Sequence, residues 1–409
     1  MQRIVFEEPY EFIPPHRGTW WPNFIQAFGL YKRYLRKDEG VVDFECRHVE
    51  RLKKSLAAGH GIMLTPNHAR PGDPIVMGVL AKAANTNVYA MASWHLFKQD
   101  WFTAFAIRRM GGFSLYREGM DRQSINTAIG IIETAERPLI VFPEGSVTRT
   151  NDRVHALLDG VSFIARTAAK RRQKISPEKR VVVHPVAIKY LFTGDLEKTV
   201  VPVLEEIELR LSWQPHDELP LLERITKIGR ALLSLKEIEY FGESQEGRLR
   251  DRLAALIDRL LIPLEEEWLG SAKDGPVVPR VKNLRTAILP DMVKGNVDAK
   301  ERARRWRHLA DIYLAQQVSC YPPDYLIERP SVTRILEIVE RFEEDLTDKV
   351  RAHGNLKAIL EVGEAIAVDT TRDRSAEVDP LMARIGDDLQ SMLDRLALES
   401  PIYEPGVTA

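Results

Sequence analysis

The chain has 409 residues, of which 58 are Lys or Arg and 59 are Asp or Glu, with only 2 Cys. This length suffices for two or three domains, and near-zero net charge with 44% apolar residues excludes overall disorder. Two cysteines can build neither a disulfide framework nor a zinc site, so we expect a reducing compartment. No charge-free apolar run reaches the ~20 residues of a spanning helix. The composition therefore predicts a cytoplasmic protein that is soluble or peripherally bound to a membrane.

The charges are unevenly distributed along the chain. Residues 1–240 carry 34 basic and 28 acidic side chains, whereas residues 241–409 carry 24 and 31. The mildly basic front half favours an anionic substrate or surface, and the acidic rear half is typical of a solvated helical unit. We expect no nucleic-acid partner.

The first predicted element is an amphipathic helix over residues 19–37. Its apolar residues recur at alternating spacings of three and four and therefore share one helix face, with a basic cluster at the C-terminal end. Such a helix either lies in a lipid interface or packs conventionally on a core. The apolar stripe consists of Trp21, Phe24, Phe28, Tyr31 and Leu35.

From about residue 61, short apolar runs alternate with helix-like stretches. Alternation of this kind predicts an α/β domain with a mostly parallel sheet flanked by helices. In such a domain the chemistry lies where strands end and loops begin. The runs are GIMLTPNH, NVYAMAS, GGFSLYRE, RPLIVFPEG and KRVVVHPVAIKY.

After about residue 207 the strand signals become sparse and helical periodicity dominates. Apolar residues at helical spacing predict helices around 249–260, 332–350 and 381–396. The sequence thus predicts an N-terminal membrane-interface segment (1–44), an α/β domain (45–240) and an all-helical C-terminal region (241–409) without assigned chemistry.

The first candidate site lies in PNHARPGDP and contains Asn67, His68 and Asp73. On an unbroken helix, residues five apart do not face each other, but Pro71 and Gly72 break the helix. A turn here can bring the carboxylate of Asp73 back to the imidazole of His68. A carboxylate bonded to one ring nitrogen fixes the tautomer and leaves the other nitrogen as a base.

The second candidate site is VFPEGSVTR, which follows the apolar run 139–142. Glu144 and Gly145 therefore lie at a predicted strand end, followed by Ser146, Thr148 and Arg149. These three side chains offer donors to a phosphate or polar head group.

In this order the motifs resemble the glycerolipid acyltransferase family, the group of 1-acylglycerol-3-phosphate acyltransferases and their relatives. NHARPGD resembles the NHxxxxD motif of that family, and FPEG is its third motif. GGFSLYRE and HPVAI are similar to its second and fourth motifs, and the resemblance covers roughly residues 45–210. It implies an α/β acyltransferase that needs no cofactor and uses acyl-CoA or acyl carrier protein as co-substrate.

The resemblance also implies a role for each matched residue. His68 is the expected general base that deprotonates an acceptor hydroxyl, and Asp73 orients it. The hydroxyl then attacks a thioester directly, in keeping with the lack of a GxSxG nucleophile motif. The residues expected to bind substrate are Asn67, the two arginines Arg117 and Arg149 as contacts of the acceptor phosphate, Glu144 and Gly145 shaping the acceptor site, and Pro185 in the acyl pocket.

One departure from the family pattern affects the expected phosphate contact. Many members carry Arg two residues after the Gly of FPEG, where this chain has Val147. Arg149, Arg153 and Arg70 are the candidates to replace it. The acceptor thus stays open between 1-acylglycerol 3-phosphate, a lysophospholipid and glycerol 3-phosphate. A thioesterase and a non-catalytic lipid-binding module are the alternatives in other classes.

Overall fold

The computed structural model describes residues 5–175, 178–372, 375–376 and 378–405. In chain order the elements are α1 (Trp20–Phe28), α2 (Leu30–Asp38), β1 (Val41–Arg47), α3 (Val49–Ala57), β2 (Gly61–Pro66), α4 (Asp73–Ala83), β3 (Tyr89–Ser93), a 3-10 helix (Trp94–Lys98), α5 (Trp101–Arg109), β4 (Gly112–Leu115), α6 (Arg122–Thr134), β5 (Leu139–Ile140), α7 (Gly160–Ile175), β6 (Val181–Phe192), α8 (Leu196–Ser212), α9 (Leu221–Phe241), α10 (Leu249–Leu269), α11 (Val277–Val293), α12 (Ala299–Ser319), α13 (Tyr325–Glu328), α14 (Val332–Thr347), β7 (Leu356–Val362), β8 (Ile366–Ala367) and α15 (Pro380–Ala397).

The eight strands found among the described residues form one sheet, in the order β1-β7-β6-β2-β5-β3-β4, and β8 pairs with β6. The pairs β1–β7, β2–β6, β2–β5, β3–β5 and β3–β4 are parallel, and β8 is antiparallel to β6. The predicted α/β class with a mostly parallel sheet is confirmed. All five apolar runs contain strands, although β5 is only two residues long.

The predicted all-helical character of residues 241–409 needs a correction. That region is largely helical, but β7 joins the sheet between β1 and β6. Every residue of β7 except Lys357 is buried. The sequence of β7 is LKAILEV, in which Lys357 and Glu361 shorten the uninterrupted apolar run to three residues. A run this short does not distinguish a strand from a helix.

The chain divides into two compact units whose bounds differ from the predicted domain bounds. The sheet unit comprises Tyr10–Leu191 with Asn355–Glu399, and the helical unit comprises Phe192–Gly354 with short terminal segments. In the sheet unit, α6, α7 and α15 pack on the sheet through a core that includes Ile132, Ile164 and Leu389. In the helical unit, α10, α11 and α12 share a core around Leu256, Leu284 and Ile312.

The predicted helix over residues 19–37 is interrupted in the structure. Gly29 takes a left-handed conformation (φ 60°) that ends α1 and begins α2. The predicted stripe is divided accordingly, because Tyr31 and Leu35 are buried while Phe28 stays 69% exposed. Trp20, which lies outside the predicted stripe, is 64% exposed. Within the described residues, no helix is long and apolar enough to cross a membrane.

Candidate active site

The sheet brings the candidate motifs to one edge. β2, β5 and β6 are neighbouring parallel strands, so their carboxyl ends lie together. The loop after β2 carries His68 and the loop after β5 carries Glu144, while Tyr190 lies near the end of β6. This edge is where open parallel sheets generally bind their ligands.

His68 and Asp73 are in contact, as the turn in the sequence indicated. Nδ1 of His68 lies 2.9 Å from Oδ2 of Asp73. Asp73 is the first residue of α4, where the helix dipole favours a negative charge. A carboxylate oxygen at this distance can accept a hydrogen bond from Nδ1–H, an arrangement that leaves Nε2 as the nitrogen able to take a proton. The imidazole also stacks on Phe142, with ring centroids 4.1 Å apart.

The carboxylate of Asp73 is fully buried and accepts two further hydrogen bonds. The backbone N–H of Arg70 donates to Oδ2 at 2.9 Å, and the hydroxyl of Tyr190 donates to Oδ1 at 2.5 Å. The ring of Tyr190 is buried, which raises the pKa of its hydroxyl well above the usual value. The sequence reasoning missed Tyr190. The sequence did contain an indication of this contact: Tyr190 places a phenol in an apolar strand, and a buried hydroxyl requires a hydrogen-bond partner.

Glu144 holds the backbone of His68 from behind. Its carboxylate accepts the backbone N–H of His68 at 2.8 Å and that of His155 at 2.9 Å. Thr148 binds the carbonyl of the same residue, since its N–H and its hydroxyl both donate to the carbonyl oxygen of His68. Glu144 is 1% exposed, and this burial raises its pKa to about 7. The FPEG loop therefore positions the histidine.

Asn67 fastens the same loop to β6. Its side-chain oxygen accepts the N–H of Ile188 at 2.7 Å, and its side-chain nitrogen donates to the carbonyl of Ile188 at 3.0 Å. The side chain is buried, so the structure gives Asn67 a positioning role next to His68. Its contact with substrate stays a prediction.

Arg117 reaches the FPEG loop from the end of β4. Its guanidinium donates to the carbonyl of Gly145. Burial lowers the pKa of this partly buried arginine. Gly145 has φ 68°, and a Cβ there would lie 2.5 Å from Cδ1 of Leu158, so this turn favours glycine. The structure thus brings Arg117 and Gly145 together beside the loop that holds His68.

The other two predicted substrate-binding residues lie in different settings. Arg149 follows in the same loop with φ 62°, an uncommon conformation for a residue with a side chain. Pro185 is buried within β6, where it pairs in register with Thr65 of β2. Its role in an acyl pocket stays a prediction.

The loop after β5 is anchored by residues that the sequence reasoning did not single out. Lys189 of β6 forms a fully buried ion pair with Asp152. Gln390 of α15 accepts the N–H of Val154 at 2.9 Å and donates to the carbonyl of Asp152 at 3.0 Å. Buried charges are stable only when paired, so these contacts fix the loop that carries Glu144.

His184 of β6 is a buried core residue. Its Nδ1 lies 2.9 Å from the carbonyl of Gly363, and its Nε2 lies 2.9 Å from the hydroxyl of Ser55. The carbonyl can only accept, so Nδ1 carries the proton and Nε2 accepts from Ser55. Burial lowers the pKa of His184, so both nitrogens are satisfied in the neutral ring.

A buried carboxylate bonded to a partly exposed imidazole is the arrangement of a general base. Residues 44–189 match the model of the Acyltransferase family. This range contains the His68–Asp73 pair, the FPEG loop and strands β2 to β5. Residues 44–189 therefore form a domain of the acyltransferase family, consistent with the glycerolipid acyltransferase resemblance. No curated protein matches the chain.

Proposed function

We propose that the protein is an O-acyltransferase of phospholipid biosynthesis that moves a fatty acyl group from a thioester donor to a hydroxyl of a phosphate-bearing glycerolipid. The donor is acyl-CoA or acyl carrier protein, and the first candidate acceptor is 1-acylglycerol 3-phosphate. The observation that carries the proposal is the contact between His68 and Asp73 at the end of β2, within an acyltransferase-family domain.

The chemistry follows from the tautomer of His68. Nε2 takes the proton of the acceptor hydroxyl while the hydroxyl oxygen attacks the carbonyl carbon of the thioester, forming a tetrahedral intermediate. The C–S bond then breaks, the ester forms, and the imidazolium returns the proton to the sulfur to give a free thiol. Asp73 stabilises the imidazolium between these steps. The reaction needs no cofactor.

The acceptor phosphate is proposed to bind on the Arg117 side of the FPEG loop. A guanidinium binds phosphate oxygens in a bidentate manner, and Arg117 lies beside Gly145. Arg149 is the proposed second phosphate contact, and Asn67 and Glu144 are proposed to shape the acceptor site through the backbone of His68. Pro185 is proposed to lie in the wall of the acyl pocket.

Access to a lipid acceptor is proposed to occur at the cytosolic membrane surface. Trp20 and Phe28 expose aromatic rings on α1, and four basic side chains of α2 are exposed. Exposed aromatic and basic groups on adjacent helices are typical of segments that bind anionic lipid surfaces. We therefore propose a peripheral membrane association through α1 and α2.

A thiol-release assay tests the proposal and separates its alternatives. Purified protein receives acyl-CoA or acyl carrier protein thioester with 1-acylglycerol 3-phosphate, glycerol 3-phosphate, a lysophospholipid or no acceptor. We expect thiol release that depends on 1-acylglycerol 3-phosphate and is matched by diacyl product. Equal release without acceptor indicates a thioesterase, and release at the protein-free rate favours a non-catalytic lipid-binding module.

A further inference from the structure

The hydroxyl of Tyr190 ends a continuous chain of hydrogen bonds through the candidate active site. It lies 2.5 Å from Oδ1 of Asp73, while Oδ2 of the same carboxylate lies 2.9 Å from Nδ1 of His68. Tyr190 is 1% exposed and Asp73 is fully buried, so water does not compete for either oxygen. The two carboxylate oxygens thus have different partners.

The ring of Tyr190 is itself held in place. The guanidinium of Arg70 lies over this ring, 5.4 Å from its centroid. The backbone of Tyr190 is also held, because its N–H donates to the side-chain oxygen of Asn151 at 2.7 Å. Tyr190 is therefore fixed through its backbone, its ring face and its hydroxyl. A hydroxyl held this way can prevent rotation of the carboxylate that it binds.

We propose that Tyr190 is a positioning residue that locks the carboxylate of Asp73 so that His68 keeps its Nδ1–H tautomer and presents Nε2 as the base. The inference rests on the proposed function only in taking His68 as that base. Without the hydroxyl, Oδ1 loses its only side-chain donor among the described residues, and the carboxylate is held at Oδ2 alone, by the backbone N–H of Arg70 and by His68, so that its plane can turn. A rotated carboxylate no longer selects one tautomer of the imidazole.

The expected effect falls on turnover, not on substrate binding. The hydroxyl of Tyr190 binds Oδ1 of Asp73 whereas His68 binds Oδ2, so the hydroxyl acts on the base through the carboxylate. Loss of one hydrogen bond to a buried charge corresponds to a change of about 10- to 100-fold. We expect Tyr190→Phe to lower kcat by about this factor and to leave KM within about twofold.

A matched control exists on another strand of the sheet. Tyr89 of β3 is 1% exposed, and its hydroxyl donates to a carboxylate oxygen of Glu136 at 2.6 Å. Tyr89→Phe therefore removes the same kind of bond at a position outside the site. We expect Tyr89→Phe to keep the kcat of the wild type, whatever its effect on thermal stability.

The direct readout is the tautomer of His68, measured in the free protein by ¹⁵N NMR of the imidazole nitrogens. The chain has 10 His, and the His68 signal is the one missing from His68→Gln. We expect one Nδ1–H tautomer in the wild type and Tyr89→Phe, and a mixture in Tyr190→Phe. In an Asp73→Asn background, Tyr190→Phe should lower kcat by less than about twofold, since its effect passes through Asp73.

Each outcome decides the proposal. A single tautomer and wild-type kcat in Tyr190→Phe overturn it, and so does a lower kcat with an unchanged tautomer, which indicates a structural role. If Tyr190→Phe does not fold, the proposal is tested by NMR on the wild-type protein. A slowly exchanging tyrosine hydroxyl proton coupled to the Tyr190 ring supports the lock, and its absence overturns it. A mixture of tautomers in Tyr190→Phe together with full activity of His68→Gln supports the positioning role of Tyr190 but refutes the proposed function.

Discussion

Replacing Glu144 with Gln changes the pH dependence of stability in a way that the structure predicts. The carboxyl group is buried, and its pKa is raised from 4.5 to about 7, chiefly by desolvation. The folded state therefore holds a proton that the unfolded state releases between these pH values. Folding is favoured most below pH 4.5, and this contribution is lost as the pH rises through about 7.

The size of the effect follows from the same shift. Raising the pKa from 4.5 to about 7 corresponds to about 3 kcal/mol of unfolding free energy lost between mildly acidic and alkaline pH. Gln does not titrate, so Glu144→Gln removes this dependence. Its amide nitrogen faces one of the two backbone N–H donors, which adds a pH-independent cost of about 1–3 kcal/mol.

Urea unfolding from pH 5 to pH 8.5 measures this prediction. The unfolding free energy of the wild type minus that of Glu144→Gln should be largest at pH 5 and smaller by about 2.5 kcal/mol at pH 8.5. Glu178→Gln, at an exposed position, is the control for loss of a surface carboxyl group. A difference independent of pH would refute the reasoning, because it would mean that the two N–H donors keep Glu144 ionised throughout.

Two further predictions concern the acceptor and the membrane. Arg117→Ala should raise KM for a phosphate-bearing acceptor by about 10-fold or more and change KM for the thioester donor little, because the lost contact is a charge-assisted bond to phosphate. Equal changes in KM for the acceptor and for the donor, measured by steady-state kinetics, would contradict a specific contact between Arg117 and the acceptor phosphate. Trp20→Ser with Phe28→Ser should weaken sedimentation with anionic liposomes, since both rings are exposed, whereas Trp213→Ser, which removes an exposed aromatic ring outside α1 and α2, serves as the control. Wild-type binding by the double variant would exclude α1 as the contact.

Much of the site could be predicted from the sequence because its residues lie in short local motifs. Pro71 and Gly72 interrupt the helix pattern between His68 and Asp73, and the structure has the expected contact. The strand before Glu144 was visible from its apolar run, although the strand itself is two residues long. The His68–Asp73 contact and the strand before Glu144 could therefore be predicted from a local turn and an apolar run.

The remaining features depend on contacts between distant parts of the chain. Tyr190 meets Asp73 across 117 positions, and Gln390 meets Asp152 across 238. β7 enters the sheet beside β1, more than three hundred residues away, and neither strand has a periodic signal that names its partner. The roles of Glu144 and Asn67 as supports of His68 likewise follow from backbone hydrogen bonds that a single sequence does not reveal.

The break between α1 and α2 shows a different limit. Spacing of apolar residues continues through Gly29, so periodicity alone predicts one helix. The backbone turns at Gly29 because glycine takes a positive φ without steric cost. This turn buries Tyr31 and Leu35 and leaves Phe28 exposed, so the aromatic face of α1 is shorter than predicted.

The central claim is that His68 is the base for acyl transfer. Its most direct test is the rate of diacyl product formation by His68→Gln and wild type, with the thioester donor and 1-acylglycerol 3-phosphate both saturating. The account predicts a fall in kcat of about 10²- to 10⁴-fold with an unchanged thermal midpoint. A His68→Gln protein that forms product at the wild-type rate would contradict it.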